Sequence, residues 1–144
     1  VKYGRVYVED VEIGGELPPL VKGPIRQIQL TRYAGASGDF NPIHQDREFA
    51  RAAGLDDVIA HGMLTMGFVA QFLTDWAGAG TVAKLGVRFT APVKLEDTVT
   101  CRGRVIAKSS KDDVHLVEVD VVAENQNGET VVTGRAAVAL PSRG

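Results

Sequence analysis

The chain has 144 residues, enough for one domain around one core, and residues 1–144 read as that single domain. Its composition, 44% hydrophobic and 24% charged, is that of an ordinary globular protein, and a net charge of −2 with scattered Lys and Arg gives no electrostatic case for nucleic acid. Nothing resembles a membrane span or a signal peptide, and the lone cysteine, Cys101, cannot form an internal disulfide, so a cytoplasmic protein in reducing surroundings is the expectation.

Residues 7–17 alternate weakly around Ile13-Gly14-Gly15 and predict an extended arm with a turn, broken by Pro18-Pro19. Residues 25–30 alternate imperfectly and predict a short strand. Thr31 then reads as the N-cap of a short helix that Gly38 ends. Residues 45–53 predict a second short helix, stopped by Gly54.

Residues 62–77 are different. Met63, Leu64, Met66, Val69, Ala70, Phe72, Leu73 and Trp76 cover nearly the whole circumference of a helix, with Thr65, Gln71, Thr74 and Asp75 the interruptions. A helix apolar nearly all round must be buried on nearly all sides. Residues 82–92, 98–108, 114–124 and 129–140 are rich in Val and Thr, with period-two alternation. Turns are expected at 92–97, 109–113 and 125–128, the last carrying the hairpin signal Asn127-Gly128. Short connections favour antiparallel neighbours. A curved antiparallel sheet around one long helix is the economical α+β solution, and its free edge suits pairing with another subunit. Cys101 reads as a buried, inert thiol, and residues 108–111 as a solvated turn.

The chemistry concentrates in Asp39-Phe40-Asn41-Pro42-Ile43-His44 and His61-Gly62-Met63. On a continuous helix Asp39 and His44 would diverge by about 140°. Pro42 removes that geometry, pushes Asn41 toward an extended conformation and makes a turn. The turn can bring carboxylate and imidazole together over one water, as a proton-transfer pair. The plainer alternative makes Asp39 or Asn41 a helix cap and His44 a surface residue. Gly62 opens the apolar helix, where an N–H lacks an internal partner and can polarise a carbonyl. Close packing of helix on sheet explains Gly62 equally well. His61 reads as a structural hydrogen bond at the helix start rather than a catalytic group. Met63 and Met66 read first as core, with an acyl-channel lining as the alternative. Trp76 reads as core or subunit surface, and Lys84 and Arg88 as solvated charges rather than phosphate ligands. No Cys/His spacing suggests zinc, and no metal is expected.

These residues resemble a known family, the MaoC-like (R)-specific enoyl-thioester hydratases and dehydratases. The matching positions are Tyr33-Ala34, Ser37-Gly38-Asp39, Asn41-Pro42, His44, Ala52-Ala53-Gly54 and Ile59-Ala60-His61-Gly62-Met63, with Ile13-Gly14, Arg88-Phe89 and Pro92-Val93 outside them. Residues 61–67 look especially like the B subunit of mycobacterial-type (3R)-hydroxyacyl-carrier-protein dehydratases. The resemblance implies a dimeric hot-dog fold. It implies that Asp39 and His44 activate water, that the Gly62 amide meets the thioester carbonyl, and that Asn41 and Pro42 shape the turn. It implies no cofactor beyond the CoA or acyl-carrier-protein arm of the substrate, and a homodimer or a heterodimer with a sister hot-dog subunit. One position departs: several relatives have Ser where this chain has Ala70. The expected activity is reversible hydration of trans-2-enoyl thioesters to (3R)-3-hydroxyacyl thioesters. The competing expectations are an acyl-CoA thioesterase, or a subunit inactive without its partner.

Overall fold

Five strands form one antiparallel sheet: β1 (Leu20–Lys22), β2 (Val82–Phe89), β3 (Val99–Lys111), β4 (Val114–Glu124) and β5 (Thr130–Leu140), in the order β1-β3-β4-β5-β2. Among the described residues three α-helices pack with it, α1 (Gln27–Ser37), α2 (Arg47–Ala52) and α3 (Gly62–Ala77). The computed structural model describes residues 5–144, so the first four residues of the expected domain lie outside the described residues.

The sheet forms because its strands alternate. On β3, Val99, Cys101 and Val105 turn inward, and on β4 Val117, Val119, Val121 and Ala123 do the same. A period of two places such residues on one face of the pleat. That face receives Phe68, Val69, Phe72 and Leu73 of α3, all buried. The Phe72 ring lies where strand β3 has no side chain: a Cβ on Gly103 would sit 3.0 Å from Phe72 Cε1 and 3.0 Å from a Val119 methyl. Truncating so buried an aromatic typically costs about 3–5 kcal/mol. Cys101 is fully buried in this core, and burial pushes its thiol up to about 11, against a smaller opposing pull from Lys22.

Both β-hairpins have local causes. Asp112 and Asp113 take the left-handed conformation (φ 51° and 61°), which makes the tight β3–β4 turn. In the β4–β5 turn the Asn125 side chain accepts from the N–H groups of Asn127 and Glu129, both at 3.0 Å.

Several expectations are corrected. Residues 25–30 are not a strand: the imperfect alternation of Ile25, Gln27, Ile28, Gln29 and Leu30 overlaps the start of α1, whose Leu30 and Ala34 share one buried face at the helical spacing. Thr31 is therefore inside α1 rather than its cap, and Arg26 occupies the N-cap position without a side-chain cap bond. Gly38 ends the helix in the left-handed conformation, as read. The second short helix is α2, capped by Asp46, whose carboxylate accepts from the Phe49 N–H at 3.0 Å. The arm contains a 3-10 turn at Val8–Asp10. Pro18-Pro19 is followed at once by β1, a three-residue strand too short to show a period.

The turn expected at 109–113 is shorter, because β3 continues to Lys111. Lys108 does not sit in a solvated turn. Its ammonium donates to the carbonyls of Val8 and Val11 at 2.7 and 2.6 Å, tying the N-terminal arm to β3. Finally, α3 is not buried on nearly all sides of this chain. Met63, Gly67 and Gln71, spaced four apart, are exposed along one face. The sheet covers the other side only. Among the described residues β2 is the edge strand opposite β1 and pairs on one side only, with β5.

Candidate active site

The Asp39–His44 turn is built as its proline requires. Asn41 is extended (φ −56°, ψ 125°), and Pro42 opens a 3-10 turn over Pro42–His44. The Asn41 side chain accepts from the Ile43 N–H at 3.2 Å, and Asp39 Oδ1 accepts from the Asn41 N–H at 3.2 Å. Helix α1 supports the turn from behind. Gln27 Nε2 donates to the His44 carbonyl at 3.0 Å, and the Thr31 hydroxyl donates to Gln45 Oε1 at 2.8 Å.

His44 is no surface residue. It is 5% exposed, and its Nδ1–H donates to the Ile59 carbonyl at 2.7 Å. A carbonyl can only accept, so the proton of the neutral ring is on Nδ1 and the Nε2 lone pair is free. That Nε2 lies 3.9 Å from Asp39 Oδ2, whose side chain is half-exposed. The gap is too long for a direct hydrogen bond. A water about 2.8 Å from each atom would bridge it.

Gly62 begins α3 beside this pair. The preceding segment is pinned from two sides: the Ile59 N–H donates to the Ile43 carbonyl at 3.1 Å and the Ala60 N–H to the Val93 carbonyl at 2.8 Å. As the first residue of the helix, Gly62 has an N–H with no intrahelical acceptor. The Phe89 ring lies over it, and a Cβ on Gly62 would come within 3.2–3.4 Å of three ring atoms. His44, Gly62, Thr65 and Phe89 share a cleft of about 470 Å³, otherwise lined mainly by apolar side chains including Ile43, Val93 and Val132. Met63 is exposed and Met66 half-buried, and both lie outside that lining. Met63 stands about 100° round the helix from Gly62.

His61 is 1% exposed. Its Nε2–H donates to the Asp39 carbonyl at 3.1 Å, its ring stacks on His44 with centroids 3.8 Å apart, and Tyr33 meets it edge-on at 4.8 Å. Burial holds His61 below the ordinary histidine range and outweighs the Asp39 carbonyl, which favours the charged ring. The structure thus gathers Asp39, His44 and His61, whose potential ligand atoms lie within 4.8 Å of one another. No sequence spacing announced that cluster. Yet the two imidazoles are stacked, with planes only 23° apart. Their lone pairs lie in two nearly parallel, stacked planes, whereas a cation needs them to converge on one point at about 2.0–2.1 Å. The arrangement serves proton transfer better than metal binding.

Reading the sequence left out the supporting Gln27, Thr31 and Gln45, and the cleft residues Thr65 and Phe89. Polar residues on one helix carry no mark of the distant loop they hold. Ala70, where several relatives carry Ser, is half-buried on α3. Among the described residues, the hydrogen bond to the Asp39 carboxylate comes from its own turn. Lys84 and Arg88 are exposed, as read.

Comparison with known proteins agrees with this geometry. The family model described as MaoC like domain matches residues 11–127. An (R)-specific enoyl-CoA hydratase of Rhodospirillum rubrum is 34% identical over 141 residues, covering 96% of this chain and 94% of that protein. Among solved structures, the unliganded R-hydratase PhaJ1 from Pseudomonas aeruginosa superposes with a TM-score of 0.85 at 30% identity, over 96% of this chain and 88% of that one. The ChsH1–ChsH2 complex from Mycobacterium tuberculosis contains a chain with a TM-score of 0.77 at 32% identity, over 90% and 98%. The fold is the hot-dog fold of these proteins, a long helix against a five-stranded antiparallel sheet. The chain belongs to the MaoC-like domain family.

Proposed function

We propose that the protein catalyses reversible hydration of trans-2-enoyl thioesters to (3R)-3-hydroxyacyl thioesters. The observation that carries the reading is the free Nε2 of His44, 3.9 Å from the Asp39 carboxylate. It shares a largely apolar cleft with the Gly62 amide, which opens α3 without an intrahelical acceptor. The names of the R. rubrum and P. aeruginosa relatives point the same way.

In this reading a water sits between Asp39 and His44. The pair takes one proton as the water oxygen attacks C3, and the thioester carbonyl becomes an enolate. The Gly62 N–H stabilises that oxyanion. The proton then passes to C2, giving the 3-hydroxyacyl thioester, and dehydration runs the same steps backwards. The two side chains face one another across a single gap, so the proton is assigned to the pair. The reaction is redox-neutral. We assign it no metal or redox cofactor, and the CoA or carrier-protein arm belongs to the substrate.

The unpaired β2 edge and the exposed α3 face fit a homodimer that extends the sheet. The likeness to a chain of the ChsH1–ChsH2 complex favours a second form, a heterodimer with a sister subunit. A cytoplasmic setting suits the single buried thiol. Among the described residues, no helix is long and apolar enough to cross a membrane.

The test is loss of enoyl absorbance with crotonyl-CoA and longer trans-2-enoyl thioesters, chiral analysis of the product, and His44→Ala beside the wild type. Formation of the (3R) product that vanishes in the variant supports the reading. Release of free thiol from acyl-CoA without loss of enoyl absorbance would replace it with a thioesterase. Activity that appears only on adding a sister subunit would establish the heterodimer.

A further inference from the structure

His61 is the one buried titratable side chain of the cluster that the proposed reaction leaves unused. It touches both partners of the proton-transfer pair by different means. Its Nε2–H holds the main chain of Asp39 at 3.1 Å, and its ring face lies against His44 at 3.8 Å. Tyr33 of α1 closes the far side edge-on. The two catalytic side chains come from one turn, while His61 precedes α3, so this contact joins the turn to the helix that carries Gly62.

We propose that His61 is a positioning residue of the hydration site, whose Nε2–H and ring face set the Asp39–His44 gap and its place beside Gly62. This inference rests on the hydratase reading above. Among the described residues His61 Nδ1 is buried without a hydrogen-bond partner. A second N–H there would have no acceptor and would place a positive charge against His44. The ring therefore works uncharged, in agreement with the effect of burial on it. The groups that face it are Tyr33 from α1, Asp39 from the loop after α1, and His44 from the 3-10 turn. Of these Asp39 alone favours a charge on the ring, first through its main-chain carbonyl and then through its carboxylate, and the neighbouring His44 opposes one.

The test compares His61→Gln, whose amide nitrogen can reach the Asp39 carbonyl as Nε2 does, with His61→Leu, which fills space without a donor. His61→Gln should keep kcat within about fivefold of wild type. His61→Leu should lose about tenfold to hundredfold in kcat with KM nearly unchanged, the size expected when catalytic groups shift by up to an ångström. Equal kcat in the Leu variant and the wild type would overturn the proposal. So would a folded Gln variant as inactive as His44→Ala, since the imidazole would then be required for itself.

Nitrogen NMR of labelled histidines provides a readout independent of turnover. His44 should keep its Nδ1–H tautomer in wild type and His61→Gln, and lose its single well-defined state in His61→Leu. If the Leu variant does not fold, activity and the His44 spectrum of the Gln variant decide: loss of both overturns the proposal, and retention of both supports it. A wild type inactive on every enoyl thioester would defeat the hydratase reading. Unchanged His44 signals in a folded Leu variant would defeat this one.

Discussion

The Nδ1–H of His44 donates to the main-chain carbonyl of Ile59 at 2.7 Å. That bond ties the proline turn to the strand-like segment before α3 and decides which nitrogen faces Asp39. A base needs an available lone pair, and Nε2 retains one because Nδ1 is committed. Both replacements of the pair should therefore be severe. Asp39→Asn and His44→Ala are each expected to lower kcat by about 10²–10⁴-fold, the range for losing a positioned acid–base group. Circular dichroism should remain that of the wild type. Turnover near normal in either variant would remove that residue from the reaction.

Gly62 makes a steric prediction. An added methyl would press on the Phe89 ring at 3.2–3.4 Å while leaving the N–H in place. Phe89 is half-exposed and its ring is the end of a mobile side chain, so the fold should tolerate Gly62→Ala. The approach of the substrate carbonyl should not. We expect kcat/KM to fall by about 100-fold, as for an ångström of misplacement. Adding Phe89→Ala should recover part of the loss. No recovery would mean that the methyl blocks the carbonyl directly and that Phe89 plays no part.

The core predicts its own weak point. A methyl on Gly103 would meet Phe72 and Val119 from two sides at 3.0 Å. Neither neighbour is free to withdraw, since Phe72 and Val119 are both fully buried. Gly103→Ala should destabilise the protein by about 1–3 kcal/mol, the usual penalty for overpacking. Urea unfolding measures this through the midpoint at constant slope. An unchanged midpoint would show that α3 can lift from the sheet without cost.

Stability should depend on pH through His61. In the unfolded chain it takes up a proton below about 6.5. In the folded chain burial lowers that value. Between the two, the unfolded state binds more protons, so stability rises with pH there. The contribution is complete above about 6.5 and declines as pH falls toward the folded value. Urea titrations across this interval should show a steeper fall for wild type than for His61→Gln. Parallel curves would place the charge sensitivity elsewhere.

Cys101 should be inert. Its thiol is buried and raised to about 11, so almost no thiolate exists at neutral pH. A disulfide reagent should label it only when the protein opens, with a rate that follows denaturant. Rapid labelling of the native protein would contradict the burial of β3.

Much of this protein was legible in its sequence because the signals are local. The bounds of α3 and β4 follow from hydrophobic periodicity, and Asn127-Gly128 marks its hairpin because Gly128 takes the left-handed backbone that few residues accept. Pro42 announces the turn for the same kind of reason, since a ring on the backbone restricts its neighbour wherever it occurs. Helix α1 misled because Gln27, Ile28, Gln29 and Leu30 alternate as a strand would, and only the packing of Leu30 and Ala34 against the core shows the longer period. Strand β1 exists because β3 pairs with it, Leu20 opposite Cys101 and Lys22 opposite Val99.

By itself, then, the sequence determined the elements with strong periods and the residue types of the site: an acid and an imidazole around a proline, and a glycine opening an apolar helix. Tertiary structure decided what those residues can do. The tautomer of His44 depends on a carbonyl fifteen residues away, the surroundings of His61 on a turn twenty-two residues before it, and the cover over Gly62 on the end of β2. Those are contacts between elements, set by how helix and sheet pack, and local residue patterns carry no record of them.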